Sequence, residues 1–419
     1  MDMLNYIEQL GYNAQQCKTT LANATTEEKN AALMELSHVL RRYKKEIIAQ
    51  NEIDLDNGRH RGLSDALLDR LMLNDKRIDA MADACEHLCV LEDPVGAVDN
   101  GHLSPKGMRI LKTRVPLGVI GIIFESRPNV TIDAGALCLK SGNCCILRGG
   151  KEAINTNITL CALMRKALKI TGLPEDCIQL VENTEREMAV LMMKCNEYID
   201  VLIPRGGARL IQAVVKQATV PVIETGAGNC HVYVDSTADI SMAVDIVDNG
   251  KTQRPSVCNA IETVLIHRDI AEQFLPKMKA RLDEHNVELR GDEITKMILG
   301  DCVIPVTEDD YAQEFGDYIL AVRVVDSLAE AIEHIQKYST GHSECIVTES
   351  LFAADEFQKM IDAAAVYVNC STRFTDGEEF GLGAEIGIAT QKLHTRGPMG
   401  LKELTTVKYL INGTGQIRE

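Results

Sequence analysis

Cys258 stands out among the 14 cysteines of the chain because cations precede it closely. It lies in the segment Arg254-Pro255-Ser256-Val257-Cys258-Asn259, and Lys251 comes just before that segment. Nearby positive charge lowers the pKa of a thiol and raises the fraction of thiolate, the form that attacks carbonyl carbon. The sequence places no histidine beside Cys258, so a cysteine protease has no specific support. The pattern indicates a candidate nucleophile, although a small buried thiol fits the same residues.

A turn with two cations follows the apolar run Cys144 to Leu147, in the segment Arg148-Gly149-Gly150-Lys151. Two positive charges at the end of a strand suit the extra phosphate of NADP better than the ribose diol of NAD, which usually meets a carboxylate. Arg148, Gly149 and Lys151 are therefore candidate contacts to NADP(H). A solvated turn without a ligand is the alternative.

A second glycine-rich turn, Pro204-Arg205-Gly206-Gly207, separates the apolar run Val201 to Ile203 from a helical pattern. Glycines at such a turn let backbone N–H groups approach a phosphate, and the start of a helix favours negative charge. Arg205, Gly206 and Gly207 are therefore candidate cofactor contacts. The segment is not the G-x-G-x-x-G fingerprint, and a tight turn without any ligand explains it equally well.

Two further side chains have types that suit catalysis. Asn129, in Glu125-Ser126-Arg127-Pro128-Asn129, is able to donate a side-chain N–H to a developing oxyanion, or to cap the helix that starts near Val130. Glu224 follows the apolar run Val220 to Ile223 and precedes a glycine-rich turn. It is either a general base or a structural residue.

The composition narrows the class of protein to small-molecule chemistry. The formal net charge is −17, which disfavours binding to nucleic acid and to anionic membranes. No stretch approaches the roughly 20 apolar residues that cross a bilayer, and the N-terminus lacks the features of a signal peptide, so we expect a cytoplasmic protein. The cysteines do not lie at metal-ligand spacings: Cys85 and Cys89 have no partner pair, and Cys144 and Cys145 lie in an apolar run. We expect no metal.

Short apolar runs that alternate with segments of helical length predict an α/β protein with a buried parallel sheet. Helices are expected in the first hundred residues, where Thr25 and Glu28 form a capping-box pattern and Ile78 to Leu88 place apolar residues on one face. A second α/β unit is predicted from about Ala238. The predicted strands of the first unit are Gly118 to Phe124, Cys144 to Leu147, Ile178 to Val181, Val201 to Ile203 and Val220 to Ile223. Those of the second are Ile261 to His267, Ile319 to Val325 and Cys345 to Thr348. The tail, Thr405 to Asn412, reads as an exposed edge strand.

From about Leu117 onward, the order of these segments resembles the aldehyde dehydrogenase superfamily. Val115-Pro116-Leu117-Gly118-Val119 is similar to its entry strand, and Asn129 falls at its oxyanion asparagine. Glu224-Thr225-Gly226 falls at its Glu-Leu-Gly element, and Cys258 at its nucleophile. Glu314-Phe315-Gly316 resembles the Glu-x-Phe-Gly element whose glutamate holds the nicotinamide ribose.

Departures from the general pattern resemble one family, the γ-glutamyl phosphate reductases. They are Pro255 to Asn259 in place of Gly-Gln-x-Cys, Pro204 to Gly207 in place of Phe-Thr-Gly-Ser, and the segments Ala331 to Ile335 and Gly341 to Glu344. The resemblance implies NADPH-dependent reduction of γ-glutamyl phosphate to glutamate 5-semialdehyde with release of phosphate, the second step of proline biosynthesis. It implies a thioester on Cys258 and an oxyanion held by Asn129 and the Cys258 backbone N–H. Arg127, Lys251 and Arg254 are our hypothesis for the cations that bind the substrate anions.

The resemblance also implies a domain organisation: a Rossmann-like cofactor domain, an α/β catalytic domain and a small β oligomerisation arm. We expect the NADP-binding domain at 1–100 and 116–233 with a return near 370–395, the catalytic domain at 234–369, and the arm at 101–115 and 396–419. A homo-oligomer is expected. A transient contact with glutamate 5-kinase is a hypothesis motivated by the lability of an acyl phosphate. The alternatives are a hydrolytic aldehyde dehydrogenase and a non-catalytic relative.

Overall fold

The computed structural model describes residues 3–418 and divides into two compact units. Unit 1 comprises Met1–Glu224, Gly381–Gly387 and Met399–Glu419, and unit 2 comprises Thr225–Phe380 and Ile388–Pro398. The expected α/β class with parallel sheets is confirmed in both units.

The helices are α1 (Met3–Ala22), α2 (Thr26–Arg42), α3 (Lys44–His60), α4 (Asp65–Leu71), α5 (Asp75–Val90), α6 (Asn129–Lys140), α7 (Ile154–Ile170), α8 (Arg186–Met193), α9 (Ala208–Gln217), α10 (Ile240–Thr252), α11 (Arg268–Asp283), α12 (Glu293–Leu299), α13 (Glu308–Tyr311), α14 (Leu328–Tyr338) and α15 (Leu351–Met360). The strands are β1 (Val98–Leu103), β2 (Arg109–Pro116), β3 (Val119–Phe124), β4 (Cys144–Arg148), β5 (Ile178–Leu180), β6 (Val201–Arg205), β7 (Cys230–Val234), β8 (Ile261–His267), β9 (Glu288–Gly291), β10 (Ile304–Pro305), β11 (Ile319–Val325), β12 (Ser343–Val347), β13 (Ala365–Val368), β14 (Ile388–Ala389), β15 (Gly397–Pro398) and β16 (Thr405–Asn412).

Unit 1 contains a four-stranded parallel sheet in the order β5-β4-β3-β6. Strand β3 is buried along its whole length, as its unbroken apolar sequence predicts. The helical start of the chain is confirmed: Thr25 and Glu28 form the capping box of α2, and α5 buries Ile78, Met81, Cys85 and Leu88 on one face. The carboxyl ends of the strands are where Arg148 and Arg205 lie.

A separate antiparallel sheet in the order β1-β2-β16 forms the arm. Strand β16 has the bounds that the sequence predicts and occupies an edge of this sheet. Most of its side chains are exposed, including Tyr409 and Ile411. An edge of this kind offers unpaired backbone groups to another strand.

Unit 2 is built on a seven-stranded sheet in the order β10-β9-β11-β8-β7-β12-β13, and all its neighbouring strands are parallel. Alternate residues of the strands enter two hydrophobic clusters, one on each face, because successive side chains of a strand point to opposite sides. Val232 and Val264 pack with Phe274 of α11, whereas Tyr233 and Leu265 pack with the helices α14 and α15.

Two boundaries differ from the sequence predictions. The predicted strand Val220 to Ile223 is wrong, since only Val222 forms an isolated bridge with Leu202 of β6. Pro221 has no N–H to extend a ladder, although its carbonyl accepts a hydrogen bond from Leu202. The predicted boundary at 233/234 also lies later than the observed division, because β7 pairs with β8 and β12 and so belongs to the sheet of unit 2.

Candidate active site

Cys258 lies in the loop between α10 and β8, at the amino-terminal edge of the parallel sheet of unit 2. Ligands of open parallel sheets usually bind at the carboxyl ends of the strands, which is where Arg148 and Arg205 lie in unit 1. Unit 2 departs from that expectation at Cys258, because the loop that carries the thiol enters its strand instead of leaving it. The Cys258 side chain is partly exposed, whereas the nearby Cys230 at the start of β7 is buried.

The backbone of Cys258 packs against Gly228 with no room for a side chain. A β-carbon on Gly228 would lie 1.4 Å from the carbonyl oxygen of Cys258 and 2.6 Å from its Cα. The same carbonyl accepts a hydrogen bond from the Cys230 thiol at 3.2 Å. The glycine after Ala227 is therefore required for close approach, and the position of the nucleophile is fixed by its main chain.

Gly228 also connects this loop to the Glu314-Phe315-Gly316 turn before β11. The Gly228 N–H donates to Glu314 Oε1 at 3.1 Å. The Glu314 side chain is exposed, and its Oε2 has no hydrogen-bond partner within residues 3–418. One carboxylate oxygen thus orders the turn beside the nucleophile, and the other is available to a ligand.

Lys251 is not placed as the sequence hypothesis requires of a substrate cation. Its side chain is 0% exposed, and Nζ donates to Glu262 Oε2 at 2.6 Å and to the Ile261 carbonyl at 3.1 Å. Burial lowers the pKa of Lys251, and the negative charge of Glu262 opposes this shift only in part. Burial also raises the pKa of Glu262 to about 7, although the positive charge of Lys251 acts in the other direction. Glu262 Oε1 accepts from the Gly316 N–H at 3.1 Å. The pair therefore supports the turn that carries Glu314, and the Lys251 ammonium is unavailable to a substrate.

Asn259 joins the nucleophile loop to a segment far along the chain that sequence reasoning missed. Its Nδ2 donates to the carbonyl oxygens of Arg373 at 3.2 Å and Thr375 at 3.0 Å, and its own carbonyl accepts from Thr372 Oγ1 at 2.7 Å. These contacts bring Arg373 close to Cys258. No local signal finds Arg373, because the contact spans 114 residues of sequence.

In unit 1, Asn129 is the first residue of α6, and its side chain is bonded to a carboxylate one turn along the helix. Asn129 Nδ2 donates to Asp133 Oδ2 at 2.7 Å. Pro128 occupies the N-cap, and it forms no side-chain cap bond, so Asn129 is not the cap that the alternative interpretation proposed. Burial raises the pKa of Asp133 to about 6, opposed by the Asn129 hydrogen bond and by the charge of Arg205.

The turn after β4 keeps two cations without ion pairs. Arg148 donates through Nη2 to the Thr184 carbonyl at 3.2 Å, while its buried Nε has no hydrogen-bond partner in the described chain. Lys151 is exposed and has no ion pair within residues 3–418. A β-carbon on Gly149 would lie 2.2 Å from Asn157 Nδ2, so this glycine is required for packing.

The turn after β6 is engaged by a carboxylate. The Gly207 N–H donates to Glu125 Oε2 at 3.0 Å, and a β-carbon on Gly206 would lie 2.4 Å from that oxygen. The start of α9 therefore attracts negative charge, as predicted, but a glutamate of the chain itself supplies it. Arg205 at the end of β6 is partly exposed, as are Arg127 and Glu224.

Residues 6–299 match the aldehyde dehydrogenase family. A protein named gamma-glutamyl phosphate reductase from Clostridium botulinum is 57% identical over 97% of this chain and 98% of its own. One of the same name from Clostridium acetobutylicum is 54% identical over the full length of both. The crystal structure of gamma-glutamyl phosphate reductase from Thermotoga maritima is 51% identical, covers 99% of this chain and 100% of its own, and superposes with a TM-score of 0.96.

The chain belongs to the γ-glutamyl phosphate reductases of the aldehyde dehydrogenase family. The family resemblance and the fold inferred from the sequence are thereby confirmed. Members of this family are oxidoreductases. Among residues 3–418, no helix is both long enough and apolar enough to cross a bilayer. The roles of individual site residues stay predictions.

The aldehyde dehydrogenase family uses nicotinamide cofactors, and each unit contains side chains that suit one part of such a cofactor. Within residues 3–418, Arg148 has a buried Nε without a hydrogen-bond partner and Lys151 is an exposed cation without an ion pair, both after β4. Glu314 Oε2 has no hydrogen-bond partner in the part of the chain that the structure describes. A phosphate and a ribose hydroxyl, respectively, have the charge and donor groups that such side chains bind.

Proposed function

We propose that this chain reduces γ-glutamyl phosphate to glutamate 5-semialdehyde with NADPH and releases phosphate, through a thioester on Cys258. The observation that carries the proposal is the partly exposed thiol of Cys258, held through its main chain by Gly228 in a γ-glutamyl phosphate reductase. The reaction would be the second step of proline biosynthesis, in the cytoplasm.

The first chemical step belongs to Cys258. Its thiolate attacks the acyl carbon of the mixed anhydride, the C–O bond to the phosphoryl group breaks, and phosphate leaves with the electron pair. A thioester results, so one difficult displacement is divided into two easier ones. Contact with Gly228 restricts movement of the loop that carries Cys258. A fixed loop favours the short distance between the Cys258 sulfur and the acyl carbon that attack requires.

NADPH, when bound, would supply the hydride that reduces the thioester carbonyl. We assign its extra phosphate to Arg148 and Lys151, which form no ion pair within residues 3–418, and its nicotinamide ribose to Glu314. Gly149 keeps that turn closely packed. Arg205, Gly206 and Gly207 remain proposed contacts, although Glu125 already accepts from the Gly207 N–H. Replacing Arg148 and Lys151 with glutamine should raise the KM for NADP and leave the KM for NAD unchanged.

The reduced carbonyl oxygen carries negative charge until the carbon–sulfur bond breaks. We propose the Cys258 backbone N–H and the Asn129 side chain as its donors, and loss of one such donor costs about 3 to 4 kcal/mol in comparable sites. Collapse then releases the aldehyde and regenerates the thiolate. No base is needed to activate water, because hydrolysis of the thioester would waste the acyl phosphate. Glu224 is therefore either catalytic in another step or structural.

The substrate carries a phosphate and a carboxylate, so cations must contact it. Arg127 and Arg254 remain our proposal for this role, whereas Lys251 is withdrawn because Glu262 and burial occupy its ammonium group. We also propose a homo-oligomer joined through the arm and a transient contact with glutamate 5-kinase. The kinase proposal fails if mixing the two enzymes gives no gain in rate over free diffusion.

The test is the reaction run in reverse, followed by NADPH formation from glutamate semialdehyde and NADP, with and without phosphate. Phosphate-dependent reduction of NADP that disappears in Cys258→Ala supports the proposal. A rate of NADPH formation that does not depend on phosphate would indicate a hydrolytic aldehyde dehydrogenase instead. Absence of turnover with any aldehyde would indicate a non-catalytic relative.

A further inference from the structure

Unit 2 contains seven arginines, and their pairing separates them into two groups. Five form ion pairs with carboxylates: Arg268, Arg281, Arg290, Arg323 and Arg396. Arg254 and Arg373 have no ion pair within residues 3–418. The two arginines without an ion pair are also the two next to the nucleophile: Arg254 lies four residues before Cys258, and Arg373 is hydrogen-bonded through its carbonyl to Asn259, the residue after it.

Arg373 is held beside Cys258 by its main chain. Its carbonyl accepts from Asn259, the residue after the nucleophile, and Thr372 donates back to the Asn259 carbonyl. The guanidinium is tethered only through Nε, which donates to Gln253 Oε1 at 3.0 Å. Its Nη1 and Nη2 make no hydrogen bonds in the part of the chain that the structure describes. Two parallel N–H donors therefore remain for a ligand.

The electrostatics agree with this geometry. Burial lowers the pKa of Arg373, against the attraction of the Cys258 thiolate, and the charge of Arg254 adds to the lowering. Asp376 also attracts Arg373, but its carboxylate forms hydrogen bonds to the backbone N–H groups of Glu378 and Glu379. Arg373 thus interacts electrostatically with both Cys258 and Arg254, and neither arginine forms an ion pair within residues 3–418.

We propose that Arg373, together with Arg254, forms an anion-binding subsite beside Cys258 that holds an anionic oxygen group of the substrate. A planar guanidinium with two free N–H groups suits bidentate binding of a carboxylate or a phosphate. The identity of the substrate rests on the proposed function, but the subsite does not. Within that function, the anion is either the phosphate that leaves the acyl carbon or the α-carboxylate of the glutamyl chain.

The subsite itself is tested without any turnover, by the charge preference of an alkylating reagent. The purified full chain is treated with iodoacetate, which is anionic, or iodoacetamide, which is neutral, and modification of the Cys258 peptide is timed by mass spectrometry. We expect Arg373→Gln to lower the ratio of the iodoacetate rate to the iodoacetamide rate several-fold. Arg373→Lys, which keeps the positive charge, should restore part of that ratio. Arg268→Gln, which removes an exposed arginine from an ion pair elsewhere in unit 2, is the matched control and should leave the ratio unchanged. An unchanged ratio in Arg373→Gln would overturn the proposal.

Steady-state kinetics in the oxidative direction then distinguishes the two anions. If Arg373 binds the phosphoryl group, Arg373→Gln raises the KM for phosphate about tenfold with little change for the aldehyde. If it binds the α-carboxylate, the KM for glutamate semialdehyde rises instead, while that for an aldehyde without the carboxylate does not. Unchanged KM values for both substrates in an active Arg373→Gln enzyme would contradict the proposal. If phosphate-dependent activity is absent in the wild type, the proposed function fails and the alkylation ratio still decides the subsite.

Discussion

Three main-chain contacts decide where the Cys258 thiol lies. Gly228 leaves no space behind its carbonyl, Cys230 donates to that carbonyl, and Asn259 fixes the next residue to the segment of Arg373. The sequence identified Cys258 by its type and by the cations near it. It did not reveal Gly228 or Arg373, because neither carries a charge pattern that points to a residue so distant along the chain.

Gly228→Ala should displace the nucleophile loop, since a β-carbon would overlap the Cys258 carbonyl. We expect the rate of NADPH formation to fall by about 100-fold or more, the size of effect that misplacement of a reacting group by about 1 Å produces. Gly250→Ala is the control: this glycine lies within α10, and the nearest atoms to its β-carbon would be Ile261 side-chain atoms at 3.2 to 3.4 Å, with no overlap of backbone. Equal activity of Gly228→Ala and wild type would contradict the importance of this contact.

Asp133 should impose a pH dependence on the orientation of Asn129. Its carboxylate accepts from Asn129, and its pKa is raised by burial to about 6, so kcat should fall as the pH decreases through about 6. Asp133→Asn keeps an acceptor but does not titrate, and should remove that decrease. Asp133→Leu removes the acceptor, and we expect a loss in kcat of up to about 100-fold at neutral pH.

The contribution of Asp133 to the free energy of unfolding depends on pH in the opposite direction to that of most carboxylates. A raised folded-state pKa means that ionisation is disfavoured in the folded protein, so the contribution of Asp133 to stability is lost as the pH rises from 3.8 to about 6. Asp133→Asn should therefore unfold at higher urea concentration than wild type above pH 6. A less stable variant there would contradict the burial of this charge.

At the scale of elements, buried apolar strands were predicted well and loops were not. Strands β3, β4, β8, β11 and β16 lie within a residue or so of their predicted bounds, because unbroken or alternating apolar runs have few other solutions. The run Val220 to Ile223 failed, since Pro221 limits pairing to a single bridge. Cys258 precedes the predicted strand Ile261 to His267, and it does lie before β8, but the contacts of its loop with Gly228 and with the segment of Arg373 were not predicted.

The buried pair of Lys251 and Glu262 supports the Glu314-Phe315-Gly316 turn through Gly316 and the start of β8 through Ile261. Lys251→Met leaves a buried carboxylate without its partner, and we expect a loss of about 3 to 5 kcal/mol in the free energy of unfolding by urea. Adding Glu262→Gln, which keeps an acceptor for the Gly316 N–H, should recover part of that loss. Lys337→Met is the control, since it breaks an exposed Lys–Glu pair and should leave the free energy of unfolding nearly unchanged. A raised KM for phosphate in Lys251→Met without loss of stability would restore the substrate role.

At the scale of the whole molecule, two α/β units and an antiparallel arm share one chain. The sequence predicted this class of fold. The exact division differed, because short returning segments such as Gly381–Gly387 join unit 1 through pairing that no local pattern shows. The arm presents an edge strand with exposed apolar side chains, which is the form of surface that pairs with another strand.

The proposed oligomer makes a prediction for β16. Replacing both Tyr409 and Ile411 with lysine adds charge to the exposed edge strand, and we expect a smaller mass by light scattering at equal protein concentration. Ile417→Lys changes an exposed residue outside the strand and should leave the mass unchanged. A wild-type monomer, or a double variant of unchanged mass, would contradict an interface at this strand.

In the proposed reaction, Cys258 forms a thioester that phosphate, not water, resolves in the oxidative direction. The most direct measurement is a rapid-mixing experiment that follows NADPH formation from glutamate semialdehyde and NADP without phosphate. We predict a burst of about one NADPH per active site, which Cys258→Ala abolishes, followed by rapid turnover once phosphate is added. Sustained rapid turnover without phosphate, or an equal burst in Cys258→Ala, would contradict the account.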